Sequence, residues 1–270
     1  MYLLRKIFFS AAHYYRVSSW SEEQNKKVFG PCSSIHGHGH DYVLDVMVTG
    51  AFQQDSGIVV NINDVDKVVK SFIQEEFDGK FLNLEHPHFQ KYMPTTEGIV
   101  SYMWNRLEER FQGCRLHKLT LHENDFLYAE KGRDNMVTLT RKYHFSSAHR
   151  LHSEQLSEEE NLRLFGKCNN VHGHGHNYYL EVTVFGEPDP VTGMIVNLSE
   201  LDQHVEREVL QKFDHKHLNL DTEEFKHLNP TSENLVIVIW KLLQDKIPNL
   251  YKIGLWETQK NYFEYYGPNR

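Results

Sequence analysis

The sequence predicts an α+β protein made of two copies of one domain, each with antiparallel strands at its ends and helices between them. Two observations support this prediction. The pentapeptide His-Gly-His-Gly-His begins at His36 and again at His172, an offset of 136 residues. Within each copy, apolar residues change from strand-like alternation to helical periodicity. The order ββααββ is typical of helices packed on an antiparallel sheet.

The repeat extends over nearly the whole chain. Its register holds without a gap from residue 13 to residue 240, and then shifts by two so that Glu123 pairs with Glu257. Chance does not produce such a match, so the chain is a duplication. We predict one domain at residues 1–130 and a second at residues 136–270, joined by a short polar segment with turn residues.

Each copy offers the same elements in the same order. Alternating apolar residues predict strands at 2–10, 41–49, 136–146 and 177–185. Helical spacing predicts a helix at residues 63–77, followed by a second helix that contains residues 99–107. The tetrapeptides that start at Ser21 and Ser157 match a capping box, which predicts a short helix in each first loop.

Composition argues against two classes of partner. The net charge of −8 disfavours a nucleic-acid-binding surface, which would be basic. No segment approaches the ~20 consecutive apolar residues of a membrane span, and the chain is too polar beyond Phe9 for a signal peptide. The three cysteines are widely spaced, unlike a disulfide framework. We therefore expect a cytoplasmic protein with no nucleic-acid or membrane partner.

Each copy carries two histidines separated by one glycine, and a third histidine 25 residues before the first of them. The sets are His13, His38 and His40 in the first copy and His149, His174 and His176 in the second. Alternate side chains of a strand share a face, and a neighbouring strand can supply the third imidazole. Three histidines with an open fourth position are typical of catalytic zinc. An adventitious metal-binding turn is the alternative, and recurrence of the whole pattern disfavours it.

His36 and His172 compete for the same role. Residues 36, 38 and 40 would share one strand face if the chain were extended throughout. We expect the extended chain to begin only near His38, which would leave His36 outside the site.

Cys168 lies six residues before His174 and directly follows Lys167. A thiolate beside a metal dication and a lysine has a lowered pKa and can act as a base. A fourth metal ligand and a small buried residue are the alternatives. Recurrence of the cysteine as Cys32 favours the catalytic interpretation.

Asp214 and His215 form an acid–histidine pair in the second copy. A carboxylate beside a histidine can set its tautomer and hold it as a proton shuttle. The first copy keeps the aspartate as Asp78 but has Gly79 in place of the histidine. The two copies are therefore expected to differ in catalysis.

Glu123 and Glu257 each end an apolar run, where a carboxylate needs a partner. A planar pair of N–H donors, as in a pterin or guanine, is one such partner. An ordinary salt bridge at the strand edge is the alternative. Thr231 and Glu233 lie at a predicted helix start, where they either cap the helix or contact a ligand.

Together these motifs resemble the 6-pyruvoyl-tetrahydropterin synthase family, once per copy and most closely in the second. The second-copy motifs, in the family's order, are Phe145-Ser-Ser-Ala-His-Arg-Leu-His152, Phe165-Gly-Lys-Cys-Asn-Asn170, Gly173-His-Gly-His-Asn-Tyr178, Asp189-Pro-Val-Thr-Gly-Met194, Asp214-His215, Pro230-Thr-Ser-Glu-Asn234 and Glu257-Thr258. The gap between Cys168 and His174 resembles the eukaryotic-type enzyme, because the related 6-carboxytetrahydropterin synthases typically have a shorter gap.

The resemblance implies a tunnelling fold, in which subunits join their antiparallel sheets into a barrel on oligomerisation. It implies a lyase that converts 7,8-dihydroneopterin triphosphate to 6-pyruvoyl-tetrahydropterin and triphosphate, with one Zn²⁺ per repeat. The alternatives are 6-carboxytetrahydropterin synthase, which uses the same substrate, and a non-catalytic zinc- and pterin-binding protein. Because a family barrel needs three domains and a full particle six, we expect a homotrimer of tandem chains.

The resemblance also implies a role for each matching residue. In the second copy, Cys168 is the base, Asp214 and His215 assist proton transfer from an adjacent subunit, Glu257 anchors the pterin, and His149, His174 and His176 hold zinc. Thr231 and Glu233 are further candidate substrate-binding residues. In the first copy, Cys32, Asp78 and Glu123 are the counterparts, beside zinc ligands His13, His38 and His40. That copy lacks the histidine of the proton shuttle.

Overall fold

The computed structural model describes residues 1–268 and confirms the α+β class, with strands and helices in nearly the same order in both repeats. The first repeat has β1 (Tyr2–His13), α1 (Glu22–Phe29), β2 (His38–Thr49), α2 (Ile62–Glu76), β3 (Lys80–Phe81), α3 (Leu82–Glu85), α4 (Thr96–Leu107), β4 (Arg115–Asn124) and β5 (Leu127–Gly132). The second has β6 (Val137–His149), α5 (Glu158–Phe165), β7 (His174–Phe185), α6 (Leu198–Val205), α7 (Gln211–Phe213), β8 (Lys216–His217), α8 (Leu218–Asp221), α9 (Ser232–Leu243), β9 (Leu250–Thr258) and β10 (Asn261–Tyr265).

The described chain divides into two compact units. The first contains Met1–Thr140 together with Phe185–Ser199, and the second contains Arg141–Val184 and the chain from Glu200 onward. Residues 185–199 belong to the second repeat of the sequence, yet they are part of the first unit. The compact units therefore differ from the sequence repeats over this segment.

Within each unit, long strands pair antiparallel with one another. β1 and β2 pair from Tyr2 opposite Thr49 to His13 opposite His38. β2 pairs in turn with β4, and β4 with β5. In the second unit, β7 pairs with β9 and β9 with β10. β1 extends beyond the predicted strand, as far as His13, and β2 begins earlier than predicted, at His38. The two strands remain hydrogen-bonded to each other up to these histidines.

The long helices contribute one apolar face each to the core. Buried residues are Val65, Val69, Phe72 and Ile73 on α2, and Ile99, Val100, Met103, Trp104 and Leu107 on α4. This confirms the helical spacing that the sequence predicts. α2 begins at Ile62 because Asn61 caps it, accepting the N–H of Asn63 at 3.0 Å. Within residues 1–268, none of the helices combines the length and the apolar character needed to cross a bilayer.

Two local features differ from the sequence prediction. The capping box is complete at Ser157, where the serine and Glu160 bond reciprocally, but at Ser21 only the N–H of Gln24 bonds to the serine hydroxyl. The counterpart of α2 in the second repeat is also interrupted, because α6 continues into a π-helical segment at Glu206–Leu210. No residue pattern in the sequence signals this segment.

Two fully buried asparagines fix the loops that follow β1 and β6. Asn161 accepts the N–H of Ser153 at 2.8 Å and donates to the carbonyls of Ser153, Leu156 and Ser157 at 2.9–3.1 Å. Asn25 makes the equivalent set of bonds in the first repeat. A single side chain therefore bonds several backbone groups of the loop that leads into the helix.

Removing this side chain should destabilise the fold. We expect Asn161→Ala to lower the free energy of unfolding by about 2–4 kcal/mol, because buried backbone groups lose their partners. Urea unfolding followed by circular dichroism measures the change, with the exposed neighbour Gln155→Ala as control. A loss no larger than that of the control would show that the loop does not depend on the asparagine.

Candidate metal and ligand sites

The strand pairing brings three histidines together in each unit. In the first, the ring centroids of His13, His38 and His40 are 4.7–5.1 Å apart. In the second, those of His149, His174 and His176 are 4.7–5.2 Å apart. One ligand atom from each ring lies within 4.8 Å of the other two in both clusters. Each cluster could therefore hold a metal ion.

A left-handed glycine separates each cluster from the histidine before it. Gly37 has φ 67° and Gly173 has φ 72°, a backbone conformation that favours glycine. A Cβ at Gly173 would lie 2.8 Å from the carbonyl oxygen of His149, so a side chain is also excluded by space. This turn leaves His36 and His172 exposed and outside the clusters, as the sequence analysis expects.

Backbone carbonyls orient the buried histidine of each cluster. The ring Nδ1 of His13 lies 3.1 Å from the carbonyl oxygen of Pro94, and that of His149 lies 2.8 Å from Pro230. A proton on Nδ1 leaves the lone pair of Nε2 directed into the cluster. Burial lowers the pKa of His13 to about 3 and that of His149 to about 4, so both rings are neutral at neutral pH.

The donor set fits a metal ion. The Nε2 atoms of His149 and His40 and both ring nitrogens of His174 are buried and have no hydrogen-bond partner among the described residues. Buried polar nitrogens without partners are costly, and a bound cation would satisfy them. Three convergent imidazoles, one of them oriented by a backbone carbonyl, are the kind of donor set with which zinc keeps an open position.

The cysteines lie on short 3₁₀ turns, Gly30–Ser33 and Gly166–Asn169. The carbonyl of Cys32 accepts the N–H of Tyr15 at 2.8 Å, and the carbonyl of Cys168 accepts the N–H of Leu151 at the same distance. Both thiols are half-buried. Neither sulfur belongs to a cluster of donor atoms among the described residues, so the geometry does not favour a fourth metal ligand.

Asp214 and His215 form the hydrogen-bonded pair that their sequence suggests. His215 Nδ1 lies 2.9 Å from Asp214 Oδ2, while Asp214 Oδ1 accepts the N–H of Ser146 at 2.8 Å. Partial burial raises the pKa of Asp214, but the Ser146 N–H and the His215 ring outweigh it and the net shift is downward. The His215 side chain is 83% exposed, so the pair faces away from the protein interior.

The first repeat keeps the aspartate of this pair without its histidine. Asp78 accepts the N–H of Ser10 at 3.1 Å, as Asp214 accepts that of Ser146. Gly79 has φ 73°, close to the φ of 57° at His215, and no atom lies within 4 Å of the position of its missing Cβ. The backbone of the pair is therefore preserved, and the imidazole ring is absent.

Within residues 1–268, the basic side chains near Glu123 and Glu257 are histidines of the clusters and not a lysine or arginine. Glu257 Oε1 lies 4.0 Å from the Nε2 atoms of His149 and His176, and it accepts the hydroxyl of Ser232 at 2.9 Å. Glu123 Oε1 lies 3.6 Å from His40 Nε2. Each carboxylate is thus placed at the edge of a histidine cluster, facing the space that a ligand of the metal would fill.

The helix starts differ between the repeats. Thr95 and Thr231 both cap their helices, accepting the N–H groups of Gly98 and Asn234. Glu97 is buried and Glu233 is exposed. Burial raises the pKa of Glu97 to about 7, against the opposing effect of N–H groups that it accepts. Plain capping is therefore confirmed for both threonines, and the ligand contacts suggested for Thr231 and Glu233 stay predictions.

Sequence reasoning missed the segment that covers the first site. Ile195 donates its N–H to Glu97 Oε1 at 3.0 Å, and the hydroxyl of Thr95 donates to the carbonyl of Gly193 at 2.6 Å. Met194 packs with the buried Tyr15 and Phe29. The motif that ends in Met194 was visible in the sequence, but nothing in it indicates which site the motif would cover.

Comparison with known proteins identifies the family of the chain. The 6-pyruvoyl tetrahydropterin synthase model matches the chain twice, over residues 2–133 and 138–268. The chain belongs to the 6-pyruvoyl tetrahydropterin synthase family. It carries two family domains in tandem, each with its own histidine cluster.

Individual relatives of the family match about half of the chain. The human 6-pyruvoyl tetrahydrobiopterin synthase is 47% identical over 138 residues, which are 50% of this chain and 95% of the relative. The solved Caenorhabditis elegans 6-pyruvoyl tetrahydropterin synthase is 46% identical over 49% of this chain and 96% of its own, with a TM-score of 0.48. A putative 6-carboxy-5,6,7,8-tetrahydropterin synthase of Archaeoglobus fulgidus is 35% identical over 98 residues, which are 36% of this chain and 77% of the relative.

Both clusters should bind metal. We expect the zinc-loaded chain to retain two zinc ions after dialysis, measured by inductively coupled plasma mass spectrometry, because each repeat has three convergent imidazoles. Replacing His38 and His40 by alanine should remove one ion, whereas His36→Ala, outside the cluster, should remove none. A single ion in the unmodified, zinc-loaded chain would contradict the prediction.

Proposed function

We propose that the second repeat is a zinc-dependent 6-pyruvoyl-tetrahydropterin synthase that converts 7,8-dihydroneopterin triphosphate to 6-pyruvoyl-tetrahydropterin and triphosphate. The observation that supports this most is the contact between the histidine cluster and Glu257, whose carboxylate lies 4.0 Å from two of the imidazoles. A ligand with a planar N–H face at one end and hydroxyl groups at the other can use both features at once.

Glu257 would anchor the pterin ring. Its Oε1 accepts Ser232 and its Oε2 accepts the exposed amide of Asn261 at 3.2 Å, a solvent-facing partner that a ligand can replace. A carboxylate held in this way accepts two parallel N–H groups of a pterin. This orients the side chain of the substrate toward His149, His174 and His176, which would hold the zinc ion.

When bound, zinc would polarise the side-chain hydroxyls of the substrate and acidify the adjacent C–H bonds. The chain's own groups then move the protons. Cys168 lies on the turn tied to Leu151 and follows Lys167, and its thiolate is the proposed base. His215 is the proposed second proton-transfer group. Asp214 bonds its Nδ1, which leaves Nε2 available to exchange a proton with the substrate.

The exposure of His215 bears on which active site the Asp214–His215 pair would serve. The imidazole lines an open surface cavity that also contains His176, and at 83% exposure it is not enclosed there. We propose that it serves the site of a neighbouring subunit, where burial on assembly would enclose it.

The main alternative is the 6-carboxytetrahydropterin synthase reaction, which starts from the same substrate. The lower identity and shorter match of the Archaeoglobus fulgidus relative favour the pyruvoyl product. Incubating the zinc-loaded protein with dihydroneopterin triphosphate and identifying the products by mass spectrometry tests the proposal. A carboxy product would replace it with the alternative. Zinc and pterin binding without triphosphate release would identify a non-catalytic binding protein.

The two cysteines should differ in importance. We expect Cys168→Ala to lower kcat by ~10²–10⁴-fold, the usual contribution of a general base. Cys32→Ala should change kcat little, because the first repeat lacks the histidine at Gly79. Steady-state triphosphate release measures both variants. Equal losses would mean that the first repeat also turns over substrate.

We propose that the chain assembles with copies of itself, because the second site lacks a cover. In the first site, residues 193–195 bury Thr95 and Glu97. The equivalent Glu233 is exposed. Residues 57–59 are the first-repeat equivalents of this covering segment, and Ile58 among them is 42% exposed. Residues 57–59 of another copy can therefore cover the second site.

The number of chains in the assembly can be tested by measuring its mass. Three chains supply the six domains of a family particle, so multi-angle light scattering should give about three times 31.9 kDa. Ile58→Asp should shift the protein toward smaller species if residues 57–59 form the contact. A mass of two or six chains would contradict the trimer, and a monomer would contradict self-assembly altogether.

A further inference from the structure

Tyr15 fills the space beside the glutamate of the first site. Its side chain is 5% exposed, and its hydroxyl donates to Glu123 Oε2 at 3.2 Å. Its ring centroid lies 4.7 Å from that of His13, the buried histidine of the first cluster. The phenol side chain therefore contacts both a histidine of the cluster and the carboxylate of this site.

The carboxylate of Glu123 already has its partners within the chain. Oε2 accepts the hydroxyl of Thr96 at 2.6 Å as well as that of Tyr15, and Oε1 faces His40. The Glu123 side chain is 6% exposed, against 15% for the equivalent Glu257. Glu257 accepts the matching hydroxyl of Ser232 but has no counterpart of the Tyr15 bond, so a ligand of Glu123 would have to displace one additional buried hydrogen bond.

The ring is also held by apolar neighbours. Tyr15 packs in a buried cluster with Phe29 and Met194, bordered by Trp20 and Cys32. The N–H of Tyr15 bonds to the carbonyl of Cys32, which fixes its backbone as well. Moving the ring out of the site would expose this apolar surface to water.

The second repeat has no equivalent obstruction. Leu151 replaces Tyr15, is only partly buried, and has no hydroxyl to offer Glu257. The backbone bond to the cysteine turn is the same, at 2.8 Å in both repeats. At this position the two repeats therefore differ in one side chain on a shared backbone.

We propose that Tyr15 closes the first repeat to pterins, so that this repeat keeps a metal-binding cluster but takes no substrate. The tyrosine hydroxyl and ring take the place that the N–H face and ring of a pterin would occupy. The pterin specificity of the open site rests on the function proposed for the second repeat. Residue 15, and its counterpart 151, thus determine which of the two sites accepts ligand.

A reciprocal exchange tests this proposal in the full zinc-loaded chain. The probe is 7,8-dihydrobiopterin, which has the pterin ring and side-chain hydroxyls but no phosphate to eliminate, and isothermal titration calorimetry gives the number bound. We expect one pterin per unmodified chain, two for Tyr15→Leu, and none for Leu151→Tyr. Tyr15→Phe, which keeps the ring, should still bind one. Each variant should retain two zinc ions, which shows that both clusters are folded.

The outcomes separate this proposal from the proposed function. Two pterins bound by the unmodified chain, or one by a Tyr15→Leu chain that retains both zinc ions, would overturn the closure by Tyr15 and leave the function of the second repeat intact. No pterin bound by the unmodified chain would contradict the proposed function. In that case a gain of one by Tyr15→Leu would still support closure, and no gain would overturn both.

Discussion

Both sites depend on the way a buried histidine at the end of one strand faces the next strand. In the first unit the register from Tyr2 opposite Thr49 ends with His13 opposite His38, so the pairing that builds the sheet also assembles the cluster. A slip of one residue would turn the imidazoles to the other face. Several ring nitrogens of the clusters are buried without a hydrogen-bond partner. A bound cation would satisfy these nitrogens. Stability of the sheet and affinity for metal are therefore linked.

Much of this was readable from the sequence. The duplication, the class of fold and the membership of both histidine clusters follow from the exact repeat and from strand alternation. The exclusion of His36 required only that the chain turn at Gly37. The cover of the first site by residues 193–195 could not be predicted, because Glu97 and Ile195 are 98 residues apart and no pattern links them. The contact of Tyr15 with Glu123 could not be predicted either, because the two residues are distant in sequence and no motif links them.

The two repeats illustrate how a duplicated site can diverge with little change of backbone. The aspartate bond at Asp78 and Asp214, the carbonyl behind His13 and His149, and the turn that carries each cysteine are all maintained. The differences are in side chains: a glycine for a histidine, and a tyrosine for a leucine. Retained backbone geometry preserves the fold and the histidine cluster. On the proposals above, the missing imidazole would alter proton transfer in the first repeat, and the tyrosine ring would block access to its site.

The membership of Phe185–Ser199 in the first unit has a consequence for any separation of the repeats. A gene cut between the repeats would leave the first copy without the strip that covers Tyr15, Phe29 and Glu97, and its apolar surface would face water. The second repeat therefore contributes to the packing of the first as well as to its own site. Separating the halves would expose that apolar surface unless another chain supplied an equivalent strip.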